Sequence, residues 1–193
     1  MIHERELLDR LGSYSSISFD GEVFRATRTG LDPLTPSTSG GRWSPREVLG
    51  SSESVATLYT SLTREGALAE LAFHYAQLTP FPSKPVLLHR LQVTSSRTLR
   101  LLRTDLVTLG VVWEHYATLN YDMTQKIGAV VAFLGCDGLI APSARWACEN
   151  LMIFTTNHGY EHDLSALSSE EVMLREWAHE KQFLHDENLP SMY

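Results

Sequence analysis

Apolar residues recur along this chain with two periods, and the changes between them mark its elements. Ala67, Leu68, Leu71, Ala72 and Tyr75 fall three and four apart, the spacing that collects one face of a helix. Ser61 or Thr63 can cap that helix and Glu65 suits the positive end of its dipole, so a helix is expected from about Arg64 to Gln77, ended by Pro80 and Pro82. Ile127, Val130, Val131 and Leu134 repeat the period, with Asp122 or Thr124 as the cap and Gly135 as the stop. Alternation and short apolar runs predict strands instead. These are Gly21 to Ala26 after an Asp20-Gly21 turn, Leu58 to Thr60, Val86 to Val93, Leu139 to Ala141, and Leu151 to Thr155. In the third of them Leu87, His89, Leu91 and Val93 share one face.

The remaining segments are less regular. Asp105 to Thr118 has a mixed pattern with a helix as its expectation, and Leu31 to Ser54, rich in Ser, Thr, Pro and Gly, reads as loops around one short strand. Ser168-Ser169-Glu170-Glu171 has the form of a capping box and predicts a C-terminal helix carrying Val172, Met173 and Trp177. Strands and helices mix without strict alternation, so the expected class is α+β, a single domain with a mixed sheet core and flanking helices.

Composition narrows the function classes. At 193 residues, 43% of them hydrophobic, the chain can bury one substantial core. Its net charge of −7 argues against a protein that binds nucleic acid by neutralising phosphates. Cys136 and Cys148 belong to no short ligand pair, and His158 and His162, although four apart, are separated by Gly159 in what should be a loop, so no metal site is expected. The charged N-terminus lacks the apolar stretch of a signal peptide and no run reaches the roughly 20 apolar residues of a membrane span, which points to a cytoplasmic protein.

Few segments name a chemistry. Arg42 follows Gly40-Gly41, a turn that lets a ligand approach the backbone, and a guanidinium there can grip phosphate oxygens; the alternative is a surface arginine beside a turn whose Trp43 fills the core. Tyr59 ends a strand, where its ring can stack on a heterocycle or simply pack. Glu70 stands nearly opposite the apolar stripe of its helix, so periodicity predicts a solvated carboxylate, yet Phe73 and His74 share its face. Ser143, in Ala141-Pro142-Ser143-Ala144-Arg145, lacks the glycine-flanked setting of a nucleophile elbow and suits a hydrogen-bonding role. Asn150 precedes a strand and can cap a turn or read a ligand edge.

Together these segments resemble the RES family, named for its Arg, Glu and Ser positions and best known as toxins of bacterial toxin–antitoxin pairs. The likeness runs from Phe24-Arg25 through Gly40-Gly41-Arg42-Trp43, Tyr59-Thr60-Ser61 and Ala67-Leu68-Ala69-Glu70 to Gly138 to Ala144 and Asn150 to Phe154, roughly two-thirds of the chain in order. It implies a fold like that of ADP-ribosyltransferases, with residues 21–160 as the catalytic domain, 1–20 as a helical extension and 161–193 as a helix packed on the same domain. It further implies catalytic roles for Arg42, Tyr59, Glu70 and Ser143, and substrate contacts for Arg25, Asn150 and Trp43. Ser44 stands where members of the family usually have asparagine, and Ser44 to Thr57 is longer than usual, which can reshape the pocket mouth.

The implied activity is destruction of NAD, bound as substrate and not as cofactor, with water or inorganic phosphate as the acceptor. The nicotinamide ring of NAD is cationic and leaves neutral, so its release needs no general acid and one carboxylate can suffice where ordinary glycosidases use two. Arg42 would hold the pyrophosphate or the adjacent ribose, Tyr59 would stack on nicotinamide, Glu70 would bind the ribose hydroxyl and stabilise the developing cation, and Ser143 would orient these groups or the ribose. The expected partner is a helix-turn-helix antitoxin, in a toxin–antitoxin hetero-oligomer or beside a homo-oligomer of the toxin, with no direct nucleic-acid or membrane contact. Two other readings stand open: a transferase that modifies a macromolecule, and a catalytically silent nucleotide- or partner-binding module.

Overall fold

The computed structural model describes residues 5–46, 55–159 and 161–183. In chain order the elements are α1 (Arg5–Gly12), β1 (Ile17–Arg28), β2 (Thr57–Ser61), α2 (Arg64–Tyr75), β3 (Val86–Arg100) and α3 (Arg103–Thr108). After a 3-10 turn at Trp113–His115 come α4 (Asp122–Phe133), β4 (Gly138–Pro142), β5 (Glu149–Phe154), β6 (Leu164–Val172) and α5 (Leu174–Glu180).

The two ends of β3 serve different neighbours. Its first part pairs antiparallel with β1 on one side and β6 on the other, while Thr98 to Arg100 pair parallel with β4. Between them the buried Asp137 carboxylate accepts the Ser96 and Arg97 backbone N–H groups at 2.8 and 3.0 Å, fixing the change of partner. Because β4 pairs with β5, β5 with β2 and β2 with β1, the strands close into a ring, with β6 attached outside as an edge strand. The β1–β2 seam is a single pair, Phe24 opposite Ser61, beyond which the strands part.

Alternation along the strands sorts the core. Val23 and Leu91, Leu58 and Ile153, and Ile140 and Leu151 are opposed pairs that fill the ring. The intervening residues Leu139, Met152 and Phe154 point outward, into a second cluster with Trp43 and with Ile127, Val130 and Val131 of α4. A third cluster packs Ala67, Leu68, Ala72 and Tyr75 of α2 against Val86, Leu88, Leu174 and Trp177. The helix expected at Arg64 is therefore real, capped by the Thr63 hydroxyl, which accepts Gly66 N–H at 3.1 Å.

Several expectations change. Asp20-Gly21 is no turn: both lie inside β1, opposite Thr94 and Val93, so the N-terminal helix is α1 alone and the first strand starts at Ile17. The strand expected to end at Val93 continues to Arg100, and the helix expected over 105–118 shrinks to α3 and the 3-10 turn. The cap of α4 is Tyr121, with Asp122 already helical and Thr124 buried. Of the stretch 31–54, the described part is loop with isolated bridges at Ser37 and Gly41, and 47–54 lies outside the described residues.

The largest change is Ser168-Ser169-Glu170-Glu171, which forms part of β6 and caps no helix; α5 begins only at Leu174. Cross-strand bonds outweigh the capping box here. Ser169 Oγ lies 2.6 Å from His89 Nδ1, and Glu170 accepts from Arg64 Nε at 2.9 Å. His89 is buried, with Nε2 2.9 Å from Thr27 Oγ1; since that hydroxyl donates to the Arg28 carbonyl, the neutral Nε2–H tautomer satisfies every group.

Two outcomes follow from this packing. A Cβ on Gly128 would lie 1.9 Å from the Trp43 carbonyl oxygen, so Gly128→Ala must push α4 off the Gly41–Trp43 turn, and should cost about 3 kcal/mol in urea unfolding. A loss below about 0.5 kcal/mol would show that α4 does not seat on this turn. Burial, and then the nearby Arg25, lowers the His89 pKa from the ordinary 6.5, against an opposing effect of Asp32. The unfolded chain then binds a proton that the folded chain refuses, so stability present above about pH 6.5 falls as the pH drops toward the lowered value. Unfolding measured at pH 7.5, 6 and 5 should show this loss, and His89→Gln should reduce the slope.

Candidate active site

Helix α2 starts tightly against β2, and Glu70 lands over the C-terminal end of β4 and the start of β5. There it is clasped from both strands. Ser143 Oγ donates to Glu70 Oε1 at 2.8 Å and Asn150 Nδ2 donates to the same oxygen at 2.7 Å. The Ser143 hydroxyl also accepts the N–H groups of Arg145 and Trp146 at 3.1 and 3.2 Å, which directs its proton to the carboxylate. Among the described residues Glu70 Oε2 accepts no hydrogen bond, so one oxygen is anchored and the other is left for a ligand. Glu70 is thus half-buried in a polar clasp, and the solvated position that periodicity predicts is wrong.

The reason lies in what α2 faces. Its polar side borders a cavity of about 1080 Å³, lined from β1, β2, α2, the 37–43 loop and the 78–85 segment. Leu71, expected in the buried stripe, is only half-buried and lines this cavity. The cavity lies beside the seam where β1 and β2 part, so both strands contribute side chains to its wall. Its electrostatics run against those of the chain. In a protein of net charge −7, the described residues give this wall Arg25, Arg28, Arg42, Lys84 and Arg145, and a single carboxylate, Glu70. A cleft walled in this way concentrates anionic ligands.

The two arginines expected here differ in what they have free. Arg42 Nη1 donates to the Tyr116 carbonyl and Nη2 to that of Thr118 at 3.3 Å, while the guanidinium stacks on Tyr116 and Tyr121 at 4.9 and 4.6 Å. It reaches the cavity but is committed to holding the 116–121 segment. Arg25, by contrast, has a buried Nη1 with no hydrogen-bond partner among the described residues, and burial lowers its pKa against the pull of Asp32. A buried, unpaired N–H on a guanidinium is costly and invites an acceptor from the cavity. Asn150 has the complementary vacancy: its Oδ1 is buried and unpaired.

Tyr59 is fixed through its hydroxyl, which accepts Trp43 N–H at 3.2 Å and lies 2.8 Å from Ser44 Oγ. Burial pushes its pKa up to about 12, so it stays a neutral phenol. Glycine is required beside it, because a Cβ on Gly41 would sit 2.5 Å from the Tyr59 oxygen. Ser44, where the family usually has asparagine, is the partner that completes this hydroxyl. Trp43 touches the cavity wall, but its side chain is 2% exposed and belongs to the core under α4. Arg145 and His74, which the sequence offered only as neighbours of Ser143 and Glu70, also line the cavity. Tyr121 does so too, with no sequence signal to announce it.

The arrangement defines a cavity for an anionic ligand with a clasped carboxylate at one wall. The RES domain model matches residues 20–174, and the chain belongs to the RES family. Its fold is similar to that of a chain in the crystal structure of the M. tuberculosis MbcT–MbcA toxin–antitoxin complex, with a TM-score of 0.77 over 91% of this chain and 97% of that one, at 17% identity. No curated protein matches the sequence.

The clasp predicts a pH-dependent penalty. Asn150→Asp would set a second carboxylate 2.7 Å from Glu70 in place of a donor, so it should cost about 2 kcal/mol of stability at pH 8. Protonation of one member relieves the repulsion, and the deficit should shrink at pH 4. A deficit equal at both pH values would mean that the two groups do not meet.

Proposed function

We propose that this chain is a toxin that breaks the nicotinamide–ribose bond of NAD and is restrained in the cytoplasm by a cognate antitoxin. One observation carries the reading: among the described residues, the only carboxylate in a cation-lined cavity is anchored by one oxygen and open at the other. Such a group can bind a ribose hydroxyl and stabilise positive charge as it develops at the ribosyl carbon. Arg25, with its unpaired buried Nη1, takes the pyrophosphate; the unpaired Asn150 Oδ1 accepts from a ribose hydroxyl or the nicotinamide amide. Arg42 and Tyr59 build the wall against which the dinucleotide lies. Nicotinamide leaves as a neutral molecule, so a single carboxylate suffices, and among the described residues Glu70 is the one that lines the cavity.

Membership of the RES family supports the toxin reading, as does the likeness to a toxin–antitoxin complex. The reading includes an ADP-ribosyltransferase-like fold and an antitoxin of helix-turn-helix type, which would supply the DNA recognition that the net charge of −7 disfavours in this chain. Transfer to a macromolecule is disfavoured by the surroundings of Glu70. The positions two residues away are Leu68 and Ala72, both fully buried, so no second acid can activate a protein acceptor there.

Purified protein incubated with NAD should release nicotinamide, and assays with and without inorganic phosphate should separate ADP-ribose from its 1-phosphate as product. Glu70→Gln keeps the shape and removes the charge, so turnover should fall by roughly 10²–10³-fold while stability changes by less than about 1 kcal/mol. NAD binding without release by folded wild-type protein would instead identify a silent binding module.

A further inference from the structure

The proposed cleavage leaves a cation at the ribosyl carbon, and an incoming water must lose a proton as it attacks. The groups that build the cavity are poorly suited to take it. Glu70 is needed as an anion toward the ribose, with Oε1 already accepting two bonds. Tyr59 is held neutral, its hydroxyl engaged by Trp43 and Ser44. Arginines and lysine are protonated. One titratable group of the right kind remains on the described wall: His74.

His74 stands one helical turn beyond Glu70 on α2, on the same side of the helix, where the cavity meets solvent. Its ring is edge-on to Phe73, with centroids 5.7 Å apart, and among the described residues its nitrogens have no hydrogen-bond partner. The charged groups facing it are Glu70 from its own helix, Arg145 from the loop after β4, and Arg42 from the loop before β2. Burial lowers its pKa from 6.5, Glu70 opposes, and the two arginines add to the lowering, so the ring is neutral at pH 7 with a lone pair available. The positions that could have offered an acid from the same helix, Leu68 and Ala72, are buried in the core.

We propose that His74 is the general base that accepts the proton of the attacking water, which makes water the acceptor in this chain; the inference rests on the NAD-cleaving reading above. In the step, the bond from the ribosyl carbon to the nicotinamide nitrogen breaks and its electron pair leaves with the ring. The water oxygen forms the new bond to that carbon, and the water proton passes to a ring nitrogen of His74, from which it is lost to solvent at the mouth. A phosphate dianion would need no such base. The histidine therefore distinguishes hydrolysis from phosphorolysis.

The test follows the fate of the cation and not only its formation. Wild type, His74→Ala and His74→Gln are incubated with NAD and labelled free nicotinamide, and ADP-ribose formation is measured beside exchange of label into NAD. Both variants should form ADP-ribose roughly 10²-fold more slowly while exchange is retained, because bond breakage persists and capture by water does not. Wild-type hydrolysis should fall as the pH drops through the lowered histidine pKa, the variants should lose that limb, and added imidazole should restore His74→Ala. If both variants keep wild-type hydrolysis and its pH profile, or lose exchange and hydrolysis in equal measure, the assignment of His74 is overturned. Folded wild-type protein that releases no nicotinamide would overturn the NAD-cleaving reading itself.

Discussion

The clasp on Glu70 is the contact that the rest of the site depends on. A helix from one side of the ring meets the ends of two adjacent strands from the other, and Ser143 and Asn150 converge on a single carboxylate oxygen. Each donor is itself held. The Ser143 hydroxyl is fixed by two backbone N–H groups of its own loop, and Asn150 sits in β5 between Ser61 of β2 and Ala141 of β4. A charge-assisted bond of this kind contributes about 1.5–3 kcal/mol. Its larger effect is directional, because it engages one oxygen and leaves the other without a hydrogen bond among the described residues.

The same economy of donors separates the arginines. Arg42 and Arg145 both donate to backbone carbonyls between Tyr116 and Thr118, so they fasten the segment that closes one side of the cavity. Arg25 has no such duty at Nη1. Arg42 thus has donors engaged in building the wall, while the less conspicuous Arg25 on β1 has a buried donor with no partner among the described residues. The cavity lies at the seam where β1 and β2 share one pair, the place where a closed ring of strands can open without losing its ladder.

Much of this was legible in the sequence because it is local. The period of Ala67 to Tyr75 names α2, and that of Ile127 to Val131 names α4, since each stripe buries against a core that differs only in which strands supply it. Other features depend on partners far along the chain. Ser168 to Glu171 looks like a helix start until β3 is laid beside it, when His89 and Arg64 claim its side chains. Glu70 looks solvated because a polar face toward a cavity has the same periodicity as one toward water. The family likeness pointed to Glu70 where the wheel did not. No local pattern distinguishes the free Nη1 of Arg25 from the engaged guanidinium of Arg42, because that difference is made by carbonyls more than seventy residues away.

The central claim is that this cavity grips NAD through Arg25 while presenting the ribose to Glu70. Calorimetric titration of NAD into Glu70→Gln protein, with and without a second Arg25→Gln change, tests it without interference from turnover. The account predicts binding to the single variant and a Kd raised by roughly 10–100-fold in the double variant, the effect of one charge-assisted bond. Equal affinities for the two, or no binding to a folded single variant, would contradict it.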